Sequence, residues 1–418
     1  MQSLSNLAIA QAVKGDRDGA NANLEKVKQL LEGMGDRASL ANLYNNRGVV
    51  AEEQGDYKEA LALYRQALAI RQQLDEPSKL AESLNNVGFA SYQIGRLDDA
   101  LAFWQQALAL YRQLDDSNRE IGISQDLGLL DIARGHFAAA RERMESSLAT
   151  AESKQLVEEA AVSHTNLSEL AVLEGAFADA STHVTRAEEA FTRRSDRRGQ
   201  IEANLIKARI ALALGDLAAV DAALAAIPAD ADISNEQRAA FLLAGARRAY
   251  IGGDRAAGAS KLDDASKVAA ESHLGVLDFR IRIERARQAL AAGETAQANT
   301  LLTALQGETT LLGQVPLRLE LLELEAAAAL RAGKNSEAAN HYRETLPLLK
   351  DTGRYSYATT LHELGARAFP APSADGAAAK AAAASARAQL LASAPPQAKA
   401  SLEKQLDLRL QQDLGDAQ

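Results

Sequence analysis

No cysteine occurs among the 418 residues, so disulfides, thiolate nucleophiles and cysteine-ligated zinc are all excluded. Aromatic residues make up only 4%, and eight prolines interrupt the chain. Small apolar residues dominate instead, alanine above all (four in a row at 381–384), a composition suited to close-packed helices rather than sheets. No apolar run reaches 18 residues, so no membrane-spanning helix is expected. The opening MQSLSNLAIAQAVKGDRDGA has neither the basic start nor the apolar stretch of a signal peptide, and the plain expectation is a cytoplasmic protein. Basic excess is also lacking. The net charge of −10 disfavours general nucleic-acid binding, which needs a phosphate-tracking surface.

Catalytic signatures are missing too. There is no GxxxxGK[ST] or GxSxG loop and no strand to carry a GxGxxG turn. The six histidines include no HxxxH pair. His136 and His183 read as surface side chains on second helices. Carboxylate pairs such as Glu52–Glu53 and Asp98–Asp99 read as solvated helix faces. We therefore expect no enzyme activity, no cofactor and no metal.

What the chain does have is a period. A glycine followed four or five residues later by a small residue occurs at Gly15, Gly55, Gly95, Gly135, Gly175, Gly215, Gly253, Gly293 and Gly333. The spacing is 40 throughout, except for 38 between Gly215 and Gly253. A fixed spacing of this size marks a repeat array. With the glycine at position 15 of each repeat, position 8 is always small (Gly48, Gly88, Gly128, Ser168, Ala208), and so, but for Val220, is position 20 (Ala60, Ala100, Ala140, Ala180). Position 24 is large in most repeats: Tyr64, Trp104, Met144, Leu302, Tyr342. Small residues at 8 and 20 let two antiparallel helices approach, and the large residue fills the space between neighbours. The glycine ends the first helix in a left-handed cap. An aspartate after it, at Asp16, Asp56, Asp216 and Asp254, can cap the second helix.

GDYKEALALYRQAL at 55–68 and GRLDDALAFWQQAL at 95–108 closely resemble the tetratricopeptide repeat. The resemblance covers about 1–350 and is strongest in the first four repeats. Forty residues instead of the usual 34 implies longer helices, and this form resembles the repeats of kinesin light chains and of several bacterial regulators. The expected fold is all-α: a right-handed superhelical solenoid of about nine helix-turn-helix repeats with a C-terminal capping helix, the handedness being implied by the resemblance. The array divides softly into 1–195 with regular repeats, 196–350 with looser ones, and 351–418 with a degenerate repeat and a cap. PADADISN at 228–235 interrupts it. Ser373 stands where a tenth glycine is expected, and SLEKQLDLRLQQDL at 401–414 reads as an amphipathic helix covering the last exposed face. At the other end residue 1 coincides with position 1 of a repeat and no solvating helix precedes it. This reads as a start cut from something longer, or as an edge that a homodimer would cover.

Positions 2, 6, 9 and 13 of the first helix share one stripe. In the tetratricopeptide family that stripe lines the concave surface. Position 6 reads Asn6, Asn46, Asn86, Asp126 and Asn166. Asparagine is a mediocre helix former, so such a row needs a reason. Beside it, position 9 carries Val49, Phe89 and Leu129. Amides flanked by apolar side chains suit an extended peptide, with backbone pairing from the one and side-chain pockets from the other. The resemblance implies the same, since asparagines at this position contact ligand backbone in long-helix members. The alternative is that the asparagines bond between adjacent first helices and order the array. In later repeats position 9 is Arg209, Arg247 and Arg287. Three stacked arginines could clamp the carboxylates or phosphates of an acidic partner, or pair internally, as Arg287 could with Glu284 three residues before it. RRSDRR at 193–198 reads as a solvated charge cluster in an inter-repeat loop.

The expected function is therefore binding of a protein or peptide, as the sensory or partner-binding module of a larger bacterial signalling regulator. The alternative is a free-standing adaptor that joins two proteins.

Overall fold

The computed structural model of the chain describes residues 7, 10–11, 16–53, 55–228, 233–308 and 310–414. Among them lie twenty α-helices, two short 3-10 turns and no strand. The chain divides into two compact units, Met1–Leu130 and Asp131–Gln418.

The first unit holds α1 (Arg17–Met34), α2 (Arg37–Glu53), α3 (Tyr57–Arg71), α4 (Pro77–Gln93), α5 (Leu97–Gln113) and most of α6 (Ser117–Ala133). Even-numbered helices here are the first helices of repeats and odd-numbered ones the second. Most are 17 residues long, which with short connections gives the period of 40. In α3 the buried residues include Ala60, Tyr64, Ala67, Leu68 and Arg71, one apolar face at helical spacing. The expected small-to-large contact is present. A Cβ on Gly48 would lie 2.4 Å from the ring of Tyr64, and one on Gly88 would lie 2.7 Å from the indole of Trp104. Both rings are almost fully buried.

Both turns of each repeat have their own chemistry. The turn inside a repeat runs through a glycine with φ near +75°, as at Gly55 and Gly95. Asp16, Asp56, Asp216 and Asp254 then accept from the third backbone N–H of the following helix at 2.9–3.0 Å. The turn between repeats is also left-handed, on glycine at Gly35 and Gly353 but on Asp115, Gln155, Ser195 and His273 elsewhere. A second aspartate row caps the first helices there. Asp36, Asp116 and Asp196 accept from Ser39, Arg119 and Gly199 at 3.0, 3.2 and 3.0 Å.

The second unit continues with first helices α8 (Val157–Glu174), α10 (Arg197–Leu214), α12 (Asn235–Ile251), α14 (Gly275–Ala291), α16 (Val315–Arg331) and α18 (Ala358–Ala368). Their second helices are α9 (Phe177–Arg193), α11 (Leu217–Ala225), α13 (Arg255–Glu271), α15 (Thr295–Gln306), α17 (Asn335–Thr352) and α19 (Ala374–Ser393), with α7 (Phe137–Ser153) ahead of them. The helix α11 is only nine residues long and stops before Pro228, and α12 restarts from a Ser234–Gln237 capping box. Ser373 caps α19 through its hydroxyl, so it serves as the cap rather than as the left-handed turn.

This unit curls until its ends meet. The Phe137 ring lies 6.4 Å from that of Tyr355. The backbone N–H of Ser356 donates to Leu173 O at 2.7 Å, and Ser393 Oγ donates to Gly175 O at 2.6 Å. A Cβ on Gly135 would touch Val315. Elements early in the unit thus pack against elements some two hundred residues later. A curl of this kind turns one set of helices inward, and the packing of α20 (Lys399–Leu414) identifies the set. Besides α19, which leads into it, it contacts α10, α14, α16 and α18, all of them first helices. At 16 residues it is about 24 Å long and bridges several repeats at once. The expected terminal helix therefore covers the last repeat and also extends along the inner face.

Replacing Gly88 by alanine should cost about 1–3 kcal/mol, because Trp104 has no room to move aside. Gly33→Ala, in the last turn of α1 where a Cβ meets nothing within 4 Å, should be neutral or stabilise by up to ~1 kcal/mol. Thermal melts of both variants test this. Equal melting temperatures would mean that the close approach does not set the helix spacing.

Candidate peptide-binding site

In the first unit, α2, α4 and α6 carry the row expected to meet a peptide. Asn46, Asn86 and Asp126 are half-buried, and so are Val49, Phe89 and Leu129. Val49 and Phe89 rest on the core, and Phe89 meets Tyr57 edge-on at 6.2 Å. The amides are partly committed. Asn86 Nδ2 donates to Asn45 Oδ1 at 2.6 Å, a bond from one first helix to the next, so ordering of the array accounts for part of the row. That uses one of the four hydrogen-bonding valences of an asparagine side chain and leaves the rest for a backbone lying along the face. Asn85, at the adjacent position, accepts from Trp104 Nε1 at 3.0 Å and orients the large core residue. Burial pushes the Asp126 carboxyl up to about 7, so near neutral pH this position becomes partly uncharged, as its asparagine counterparts are. Asn6 lies outside the described residues.

In the second unit Asn166 is half-buried on α8. Position 9 there forms a ladder of ion pairs between first helices. Glu169 on α8 pairs with Arg209 on α10. Arg247 on α12 donates to Glu284 on α14 at 3.0 Å, and Arg287 on α14 donates to Glu323 on α16 at 3.2 Å. The three arginines expected to form an acidic-ligand clamp thus share a face, but each has a carboxylate of the chain as partner. Arg287 is withdrawn from any clamp. Its side chain is only 8% exposed, and its three nitrogens face Glu284, Glu323 and Asp413. Arg209 and Arg247 stay on the wall of a cavity of about 350 Å³, with Glu169, Glu202 and Glu236 on the same wall. Burial, with Glu169 nearby, raises Glu202 to about 7 and also raises Glu236. An incoming anion would meet these carboxyls as well as the arginines.

The remaining wall of that cavity is α20, through Leu402, Leu406 and Arg409. Leu402 and Leu406 are buried with Ile206 and Ile210 of α10. Further along, Arg409 donates twice to Glu323, both at 2.9 Å, and its guanidinium lies 3.6 Å over the ring of Tyr357. Asp413, fully buried, accepts from Arg287 at 3.2 Å. Arg331 donates to the backbone carbonyls of Asp413 and Gln412 at 2.8 and 2.9 Å. Glu323 bears the burial penalty, yet Arg409 and Arg287 hold its carboxyl below the ordinary value. Asp413 is pushed up to about 7, by burial first, with Glu323 opposing its ionisation and Arg287 and Arg409 only partly compensating.

One pair escaped sequence reasoning altogether. His164 and His183 meet Nδ1 to Nδ1 at 2.9 Å, and burial, followed by the charge of His183, lowers His164 to about 4. His183 is thus not the surface side chain expected of it; a first and a second helix bring together two residues 19 apart. Among the described residues no group of three or more His, Asp or Glu is arranged to hold a metal, and no helix is long and apolar enough to cross a membrane.

Two titrations follow. A buried acid whose folded-state pKa is raised favours folding below its ordinary value, and that contribution is lost as pH rises through the folded value. Between about pH 5 and about pH 8, Asp126→Asn should therefore gain in melting temperature relative to the unsubstituted chain; a constant difference would place Asp126 in water. Asp413 faces Arg287 of α14, Glu323 and Arg331 of α16, and Arg409 of its own helix. Hydrogen-exchange protection of α20, corrected for intrinsic rates, should fall from about pH 6 to about pH 8, and Asp413→Asn should flatten that fall. An unchanged slope in Asp413→Asn would assign the titration elsewhere.

Residues 1–73 and 79–153 match the tetratricopeptide repeat family. No curated protein matches the chain by sequence. Among solved structures, the apo form of RapI aligns at a TM-score of 0.54 and 9% identity, over 66% of this chain and 99% of that one. The apo form of the quorum sensor NprR from B. thuringiensis aligns at 0.54 and 13%, over 73% and 87%. Aspartyl phosphate phosphatase F from Bacillus subtilis aligns at 0.53 and 12%, over 62% and 68%. At these identities the likeness is one of fold.

Proposed function

From the premise that the chain is a tetratricopeptide-repeat solenoid, we propose that it is a non-enzymatic scaffold that binds a protein or peptide. Its binding surface is the first-helix face of α2, α4 and α6. The observation that carries this reading is the row of Asn46, Asn86 and Asp126 beside Val49, Phe89 and Leu129, half-buried side chains that keep polar valences and apolar surface available together. An extended segment laid along it gains backbone hydrogen bonds from the amides and seats side chains on the apolar row. The ion-pair ladder of the second unit offers no such surface, since its charges are already matched.

A sensory or partner-binding role within a larger signalling regulator is the finer reading. The name of NprR, a quorum sensor, supports it by likeness of fold. The mass of the protein in its source cells separates this from a free-standing adaptor. A species well above 44.5 kDa favours the regulator, and one at that mass favours the adaptor.

The binding face itself is tested with a peptide selected from a random displayed library on the full chain. Asn46→Ala with Asn86→Ala should weaken that peptide by about tenfold, since each lost hydrogen bond is worth ~0.5–1.5 kcal/mol. The melting temperature should fall by only a few degrees. Unchanged affinity with a large melting loss would show that the asparagines only order the array.

A further inference from the structure

The inner face of the second unit has an occupant already, and its chemistry resembles that of a bound ligand more than that of a core. Along α20 the buried positions are Leu402, Leu406 and Asp413, with Leu410 and Leu414 partly buried. Glu403, Lys404, Asp407 and Gln411 are exposed, and Asp407 and Glu403 pair with Arg387 of α19 at 2.8 and 3.5 Å. The leucines bury apolar surface; the rest of the seat is polar, with Arg409 on Glu323 and Tyr357, Asp413 on Arg287, and Arg331 on the carbonyls of Gln412 and Asp413. One oxygen of Asp413 has no hydrogen-bond partner although it is buried. A helix fixed permanently into a core is stabilised best by apolar contacts, whereas buried ion pairs bring specificity at little net gain. The seat is also incompletely filled, because the cavity of about 350 Å³ lies between α20 and the first helices.

The connection permits departure. The helix α19 is anchored at its end by Ser393 on Gly175 O. Only residues 394–398, with Pro395 and Pro396, join it to α20. Five residues span up to about 17 Å, enough for the helix to leave the groove while its anchor stays.

We propose that the inner groove formed by α10, α14, α16 and α18 is a helix-binding site, closed in this state by the chain's own C-terminal helix, which competes with a partner helix of the same chemistry. That partner is an amphipathic helix carrying leucines four residues apart, a guanidinium seven residues after the first of them and a carboxylate four residues beyond. The proposal goes beyond the reading of α2, α4 and α6 and stands whether or not those helices bind a peptide. A tethered occupant is present at high effective concentration, so an outside helix binds well only once the tether is undocked.

The test uses the full chain and a fluorescent synthetic peptide of residues 399–414. The double variant Leu402→Asp, Leu406→Asp undocks α20 and leaves every residue of α10, α14, α16 and α18 in place. It should bind the peptide at least about tenfold more tightly than the unsubstituted chain, and a peptide carrying Arg409→Glu should not bind. Equal binding by the two chains, or no binding by a variant that keeps its helical circular dichroism, overturns the proposal. So does an unsubstituted chain that is a dimer and releases monomers on peptide addition, which would give the groove to the α20 of a second copy. If the variant does not fold, hydrogen exchange on the unsubstituted chain decides. Amides of α20 should exchange together and well ahead of those of α14 and α16; exchange at the same slow rate as those helices makes α20 a permanent part of the core.

Discussion

Every other feature of this chain depends on how closely two antiparallel helices approach inside one repeat. Gly48 against Tyr64 and Gly88 against Trp104 are contacts in which a single added carbon has no place. Gly365 of α18 against Tyr342 of α17 uses the same close approach between one repeat and the next. Such a contact fixes the spacing and rotation of the pair, because a large ring can seat only over the missing side chain. Once the pair is fixed, the first helices of successive repeats present one stripe to the same side. A peptide face, an ion-pair ladder and a groove for a helix are then alternative uses of that stripe, selected by the residues at positions 6 and 9.

The two units use the stripe differently, and charge decides how. In the first unit position 9 is apolar, the amides beside it retain hydrogen-bonding capacity, and burial brings Asp126 close to neutrality. In the second unit position 9 is charged at Glu169, Arg209, Arg247 and Arg287, and charges on the inside of a curled array need partners. They find them on the adjacent first helices, Glu169 with Arg209 and Arg247 with Glu284. Glu323 is more demanding. It has no exposed surface, and it is held ionised by two arginines, one from α14 and one from α20. The array alone supplies Arg287 to it; the docked helix supplies Arg409. The walls and the occupant of the groove are therefore coupled electrostatically as well as by apolar contact.

Much of this was legible in the sequence because a solenoid writes its contacts locally. The glycine turns, the aspartate caps at Asp56 and Asp216 and the small-to-large pairing all lie within one repeat, so a period of 40 exposes them. The second aspartate row, Asp36, Asp116 and Asp196, has the same register but was hidden because Glu76 and Leu156 break it and of its three members only Asp36 follows a glycine. Arg287 was read from the period as part of a clamp, yet one of its partners is 126 residues away. Periodicity carries no information about a contact between the array and something outside it. The same limit hid the closing contacts of Tyr355 and Ser356, and the whole seat of α20. The helix itself was readable from its leucines, but its address was not, since an amphipathic helix fits any apolar face of suitable width.

Removal of α20 would leave Glu323 with one arginine instead of two and would expose Ile206 and Ile210 beside an empty cavity. An apolar plug of the same shape would avoid that coupling, because its loss would strand no charge. The buried carboxylate thus makes the groove selective. A helix that brings leucines without a guanidinium leaves Glu323 short of a partner, and one that brings a guanidinium without leucines leaves α10 wet. Both demands must be met together, and leaving a buried polar group unpaired costs more than pairing it gains. Discrimination of this kind comes from the penalty on the wrong helix rather than from added affinity for the right one. It follows that the inner groove, although it presents more charge than the face of α2, α4 and α6, should tolerate fewer sequences. Under the proposed function the open face would read mostly backbone, whereas the closed one would read side chains in register.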